Sequence, residues 1–186
     1  YRYDRRSLAG LAGLGGRVAP CLLDSSFPAP TPVARSQARQ VLAAIPDGGL
    51  VVVDGLAFGA LPELAEAEGR RLRLVALVHH PLALEMGLSP ERAVALRDAE
   101  VRALAQARLI LVTSRFTATL LVGWGVPPGR LKVVEPGTDP APAARGSGSG
   151  PLRLLCVASL TPRKGHDLLL RALAGLRDLS WPLDLS

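Results

Sequence analysis

Residues 154–176 read LLCVASLTPRKGHDLLLRALAGL, and the fold is decided by how this stretch is parsed. Leu154, Leu155, Cys156 and Val157 form a short apolar run of the kind that fills a buried strand. Pro162 ends that run, since it cannot donate to a β-ladder. From Asp167 onward Leu169, Leu170, Leu173 and Leu176 recur at helical spacing. Arg163, Lys164 and Gly165 lie between strand and helix. Cations at a helix start are unfavourable by up to about 1 kcal/mol, because that end already carries partial positive charge. Uncapped backbone N–H groups together with two cations make a seat for an anion such as a phosphate. A solvated basic turn accounts for the same residues equally well.

Working outward, the same strand–loop–helix unit recurs upstream. Residues 4–14 predict a helix stopped by Gly15-Gly16, and 17–23 an edge strand containing Pro20. After a Pro-rich loop at 25–32, Val33, Val41, Ala44 and Ile45 predict a helix that Pro46 and Gly48 stop. Strands follow at 50–53, 72–78, 109–112 and 131–134, interleaved with helices at 61–68, from 90 onward, and up to about Trp124. Pro62 suits the first helical turn; Ser89 and Pro90 supply a cap and an N1 residue for a helix striped by Val94, Val101, Leu104 and Ala105. Continuous apolar strands alternating with amphipathic helices predict an α/β fold with a parallel sheet covered on both faces. In such sheets the working loops lie beyond the carboxyl ends of the strands. The polar clusters Asp54-Gly55, His79-His80-Pro81, Thr113-Ser114 and Glu135-Pro136-Gly137-Thr138-Asp139 all fall there.

Composition narrows the function classes. The chain has 186 residues, 48% hydrophobic and 20% charged, which suits a globular α/β protein. Its net charge is +6, but the arginines are scattered and aromatics make up only 4%, so no basic stripe interleaved with aromatics argues for nucleic acid. No apolar stretch reaches the roughly 18 residues of a membrane span. Cys21 and Cys156 each sit in an apolar run and are expected to be buried free thiols. The cysteines and His79, His80 and His166 lack paired ligand spacing, so no metal site is expected. The glycines of GLAGLGG precede a strand and do not match GxGxxG, which argues against a dinucleotide-binding oxidoreductase.

PAPAARGSGSG, residues 140–150, has the composition of a linker. Its GSGSG leads into a strand rather than a helix, so it is not a phosphate loop. A second domain is expected from about Leu152, with one strand, one helix and the hint of another strand at 181–185. One such unit cannot bury its own faces.

The segment 157–173 (VASLTPRKGHDLLLRAL), preceded by VVEPGTD at 133–139 and a linker, resembles the interdomain region of family 4 glycosyltransferases. HHP at 79–81 after one strand and VTS at 112–114 before a helix are similar to their first domain. The resemblance implies the GT-B fold, two Rossmann-like domains facing each other across a cleft. Residues 1–139 would form the acceptor-side domain, 140–151 the linker and 152–186 the start of the nucleotide-sugar-binding domain. It further implies transfer of a sugar, with retention of configuration, from an activated and usually nucleotide-linked donor. Neither a metal nor another cofactor is implied. The acceptor would be a saccharide, a lipid-linked molecule or a small molecule. The implied location is the cytoplasm, with peripheral contact at the inner face of a membrane left open.

Residue by residue, Lys164 matches the lysine that contacts donor phosphates and eases departure of the nucleotide, as a cation can for charge developing on a leaving group. Arg163 lies beside it. The family commonly has Gly-Arg shortly before that lysine, whereas Ala158-Ser159 stand here. His79 matches a histidine placed near the donor sugar and acceptor, where an imidazole can hydrogen-bond a sugar hydroxyl or stabilise the transition state. His80 and Glu85 are candidates for the acceptor side. Gly137, Thr138 and Asp139 match a loop at the cleft, with Gly137 allowing a tight turn or a close backbone approach. Asp54 ends its strand beside the same cleft, although turn capping explains it as well. The family's first strand and glycine-rich loop, and a pair of glutamates late in its second domain, have no counterpart in these residues. Residues 1–186 alone are therefore expected to show little or no transferase activity, and robust turnover from them would overturn that. A binding or scaffold protein that keeps the fold without the chemistry is the alternative.

Overall fold

The computed structural model describes residues 2–143, 145, 146, 154–176 and 183–185. Contacts divide the chain into two units, Tyr1–Gly137 and Thr138–Ser186.

The first unit is built on four parallel strands, β1 (Leu50–Asp54), β2 (Arg73–Val78), β3 (Leu109–Val112) and β4 (Leu131–Val133), which lie side by side in chain order. The helices are α1 (Arg2–Gly13), α2 (Pro32–Ala43), α3 (Gly55–Phe58), α4 (Pro62–Glu68), α5 (Pro90–Ala105) and α6 (Arg115–Gly123). The mixed α/β pattern with an all-parallel sheet is the Rossmann-like arrangement expected from the alternation of apolar runs and amphipathic helices. Strand β2 is inside the sheet, and its residues from Leu74 to Val78 are all buried, so both of its faces are covered. Leu72, Leu74, Ala76 and Val78 pack with Ile110 and Val112 of β3, Ala103 and Leu104 of α5 and Leu121 of α6. Each fully buried leucine or isoleucine there contributes about 1.5–3 kcal/mol relative to exposure. Strand β1 forms one side of the sheet and differs: Leu50 and Val52 are exposed while Val51 and Val53 pack on the core. Coverage of both faces thus holds for the central strand and not for β1.

Several local expectations need correction. Residues 17–23 form no strand; they are irregular chain, exposed from Arg17 to Leu22, and Cys21 is exposed with them. Pro20 has no N–H for a ladder, and of the apolar side chains in that run Leu23 packs on Leu61 and Leu64 while Val18 and Leu22 stay exposed. Helix α2 buries Ala34 and Ala38, and Val33 points outward. Helix α5 starts as expected, with Ser89 accepting from the Arg92 N–H at 3.2 Å and Pro90 in the first turn. Its buried stripe, however, is Leu96, Glu100, Ala103 and Leu104, while Val94 and Ala105 are exposed. Helix α3, a single turn directly after β1, was not anticipated. Asp54 caps it by accepting from the Leu56 N–H at 2.8 Å.

Helix α6 is anchored at the end of β3. Ser114 accepts from the Thr117 N–H at 3.1 Å, and its hydroxyl lies 2.9 Å from the buried Thr117 hydroxyl. Ser114→Ala removes the cap and strands that hydroxyl. It is expected to cost about 1–2 kcal/mol, read as a lower midpoint at unchanged slope in urea unfolding.

In the second unit, β5 (Leu154–Cys156) pairs in parallel with β6 (Leu183–Leu185), and α7 (His166–Ala174) follows β5. Strand β5 is less buried than its apolar run suggests: Leu155 is exposed and Cys156 half-buried. Of the four leucines proposed as the stripe of α7, Leu173 is buried and Leu170 and Leu176 are exposed. Trp181 and Pro182, and residues 144 and 147–151 of the proposed linker, lie outside the described residues.

Candidate active site

The carboxyl ends of β1 and β2 bring Asp54 and His79 together. The register aligns Asp54 with Leu77, so His79 emerges two residues further along the neighbouring strand. Gly55 makes this approach possible, because a Cβ there would lie 3.1 Å from the Leu77 carbonyl oxygen and 3.2 Å from Val78 Cα. Both obstacles are backbone and cannot swing away. On the other side Thr113, following β3, donates its hydroxyl to the His79 carbonyl at 3.3 Å.

Helix α1 completes the cluster. Asp4, in its first turn, places Oδ1 2.9 Å from His79 Nε2, and Asp54 Oδ2 lies 3.7 Å from the same nitrogen. Tyr3 sets its ring edge-on to the imidazole, with centroids 5.2 Å apart, and donates its hydroxyl to the Val134 carbonyl beyond β4 at 3.1 Å. A carboxylate on Nε2 selects the tautomer protonated there, which makes Nδ1 the acceptor of the neutral ring. Burial pushes the Asp54 carboxyl above its ordinary value, partly offset by the Leu56 N–H and by His79. All three side chains of the cluster are about one-quarter to one-third exposed, so the imidazole is accessible and still held. Asp4, Asp54 and His79 offer three ligand atoms within 4.8 Å of one another. Ligand spacing along the sequence cannot find such a set, since its members come from three distant elements. The direct Asp4–His79 hydrogen bond already accounts for the approach.

The other candidates are distributed. His80 Nε2 lies 3.3 Å from the Leu84 carbonyl, within the short 3-10 turn Leu82–Leu84, and the exposed Glu85 follows that turn. Gly137, Thr138 and Asp139 lie in an exposed loop after β4. Gly137 has neither a positive φ nor any atom within 4 Å of a would-be Cβ, so neither a tight turn nor a close approach requires glycine there. In the second unit Lys164 ends the 3-10 turn Pro162–Lys164 and is exposed. Gly165 then takes φ of 66°, a left-handed conformation that favours glycine, and passes the chain into α7. No side chain caps the α7 start. The backbone of Arg163 lies in the same turn, and its side chain is outside what is described.

Asp4 and Tyr3 escaped sequence reading. An aspartate in the first turn of a helix reads only as a complement to the helix dipole, and nothing local signals a partner at position 79.

An open parallel sheet with its polar side chains gathered at the carboxyl edge fits many enzymes. Comparison with known families decides among them, since residues 4–142 match the profile of Glycosyltransferase Family 4. The chain belongs to glycosyltransferase family 4. No curated protein matches it. As a family 4 domain, the first unit has its histidine–carboxylate cluster on the edge where open α/β sheets place their ligands. No helix among the described residues is long and apolar enough to cross a membrane.

Proposed function

We propose that this family 4 protein transfers a sugar, with retention of configuration, from a nucleoside diphosphate sugar to a hydroxyl-bearing acceptor. The observation that carries this reading is the imidazole of His79 held between Asp4 and Asp54 at the carboxyl edge of the sheet. In the proposed step the bond between the anomeric carbon and the diphosphate oxygen breaks, and the nucleoside diphosphate leaves. The acceptor oxygen bonds to the same face of that carbon, and its proton passes to the departing phosphate oxygen. His79 hydrogen-bonds a hydroxyl of the reacting sugar and stabilises charge there. Lys164, with Arg163 beside it, offsets the charge gathering on the diphosphate. The two carboxylates around His79 accept hydrogen bonds from hydroxyl or ammonium groups and repel anions. The acceptor group entering beside His79 is therefore a neutral polyol or an amino sugar. Contact with a membrane surface, and a location at its inner face, would follow if the acceptor is lipid-linked.

The test is calorimetric titration of the intact protein with a panel of nucleotide sugars, repeated with Lys164→Ala. One donor is expected to bind, and Lys164→Ala is expected to weaken it by about 10- to 100-fold, the value of a charge-assisted hydrogen bond. Unchanged affinity would count against the phosphate role. A binding or scaffold role is favoured by one feature, Ala158-Ser159 in place of the usual Gly-Arg. Donor binding without turnover in the intact protein would support it.

A further inference from the structure

We propose that Glu100 is a positioning residue for the active-site loop, fixing residues 79–84 and through them the His79 imidazole. Its catalytic consequence rests on the glycosyl-transfer reading; the positioning itself does not. Glu100 lies on the inner face of α5 and is 1% exposed, with Leu82 fully buried beside it. Its Oε2 accepts the Leu82 N–H at 3.0 Å, while Oε1 is buried with no hydrogen-bond partner. A leucine or methionine would fill this place at far lower cost, because an incompletely paired buried carboxyl carries a desolvation penalty. What the carboxyl does here is hold one backbone N–H, and the position of that N–H matters.

The chain leaves β2 at Val78, passes through His79 and His80, and reaches Pro81, which is buried and has no N–H. On the β3 side Thr113 ties the segment by its own N–H to the Val78 carbonyl and by its hydroxyl to the His79 carbonyl. Beyond Pro81 the first N–H is that of Leu82, and Glu100 takes it. The histidine pair is thus tethered on both sides, by Thr113 before Pro81 and by Glu100 after it. Packing locks the second tether. A Cβ on Gly59 would lie 2.9 Å from Leu82 Cδ1 and 3.1 Å from Glu100 Cγ, so glycine leaves just enough room for both. Leu82 packs with Ala60 and Leu96 in an apolar cluster of its own.

The test is ring-nitrogen NMR of His79 and His80 in the intact protein. Glu100→Met fills the volume and withdraws the acceptor; it is expected to shift both ring signals. Glu100→Gln keeps an oxygen for the Leu82 N–H and is expected to leave them near their original positions. Leu96→Ala loosens the same apolar cluster without touching the hydrogen bond and is expected to leave them unmoved. Unchanged ring signals in Glu100→Met, or equal movement in Leu96→Ala, would overturn the proposal. Should Glu100→Met not fold, Glu100→Asp, which pulls the acceptor back by one methylene, takes its place with the same outcomes. With a donor that is turned over, Glu100→Met is expected to lower kcat on the order of 10- to 100-fold with little change in donor KM, the cost of a displaced reacting group. A protein that turns over no donor would refute the glycosyl-transfer reading, while the ring spectra would still decide the positioning.

Discussion

Replacing His79 by alanine is expected to lower sugar transfer by the intact protein about 10²–10³-fold, the span lost when one hydrogen-bonding group that stabilises transition-state charge is removed. The effect falls on kcat. Donor affinity is assigned to Lys164 and the start of α7, on a different unit of the chain, and is expected to change little. The fold should survive, because His79 is partly exposed at the edge of the sheet and its contacts with Asp4, Asp54 and Tyr3 lie outside the apolar core. Steady-state kinetics with circular dichroism as a folding control checks this. Activity within a few-fold of the parent would remove His79 from the chemistry.

The second large effect is on stability, and it comes from Glu100. Burial raises its carboxyl from 4.5 to about 7, with the Leu82 N–H pulling the other way. The folded protein therefore holds this proton at pH values where the unfolded chain has released it. Stability from the neutral form is fully present below about pH 4.5 and is lost as pH rises through about 7. The span between those values corresponds to about 3 kcal/mol. Urea unfolding across pH 4–8 is expected to show this decline, and Glu100→Gln, which does not titrate, is expected to flatten it. Parallel profiles for the two proteins would mean that Glu100 does not titrate in this window.

Much of the framework was legible because it rests on local rules. The apolar runs of β1 to β4, the cap at Ser89 and the proline at the start of α4 are signals carried by neighbouring residues, and the structure has them. Two kinds of feature were not legible. One was burial: Cys21 is exposed although it sits in an apolar run, and α5 buries Glu100 in preference to Val94, because facing partners decide which stripe points inward. The other was distance along the chain. His79 could be singled out by its place after a strand, whereas Asp4 meets it only because α1 lies at the carboxyl edge of the sheet. The register of β1 against β2 likewise lets Asp54, which caps α3 through Oδ1, present Oδ2 as a second carboxylate at the same imidazole. Gly137 shows the opposite error, since a glycine that suggested a tight turn occupies an open loop.

The central claim is retaining transfer from a nucleoside diphosphate sugar. It is tested most directly by incubating the intact protein with α-linked nucleotide sugars and hydroxylated acceptors, and reading nucleoside diphosphate release together with the anomeric configuration of the product by proton NMR. The account predicts acceptor-dependent release of nucleoside diphosphate and an α-linked product. Absence of release from every donor, or a β-linked product, would contradict it.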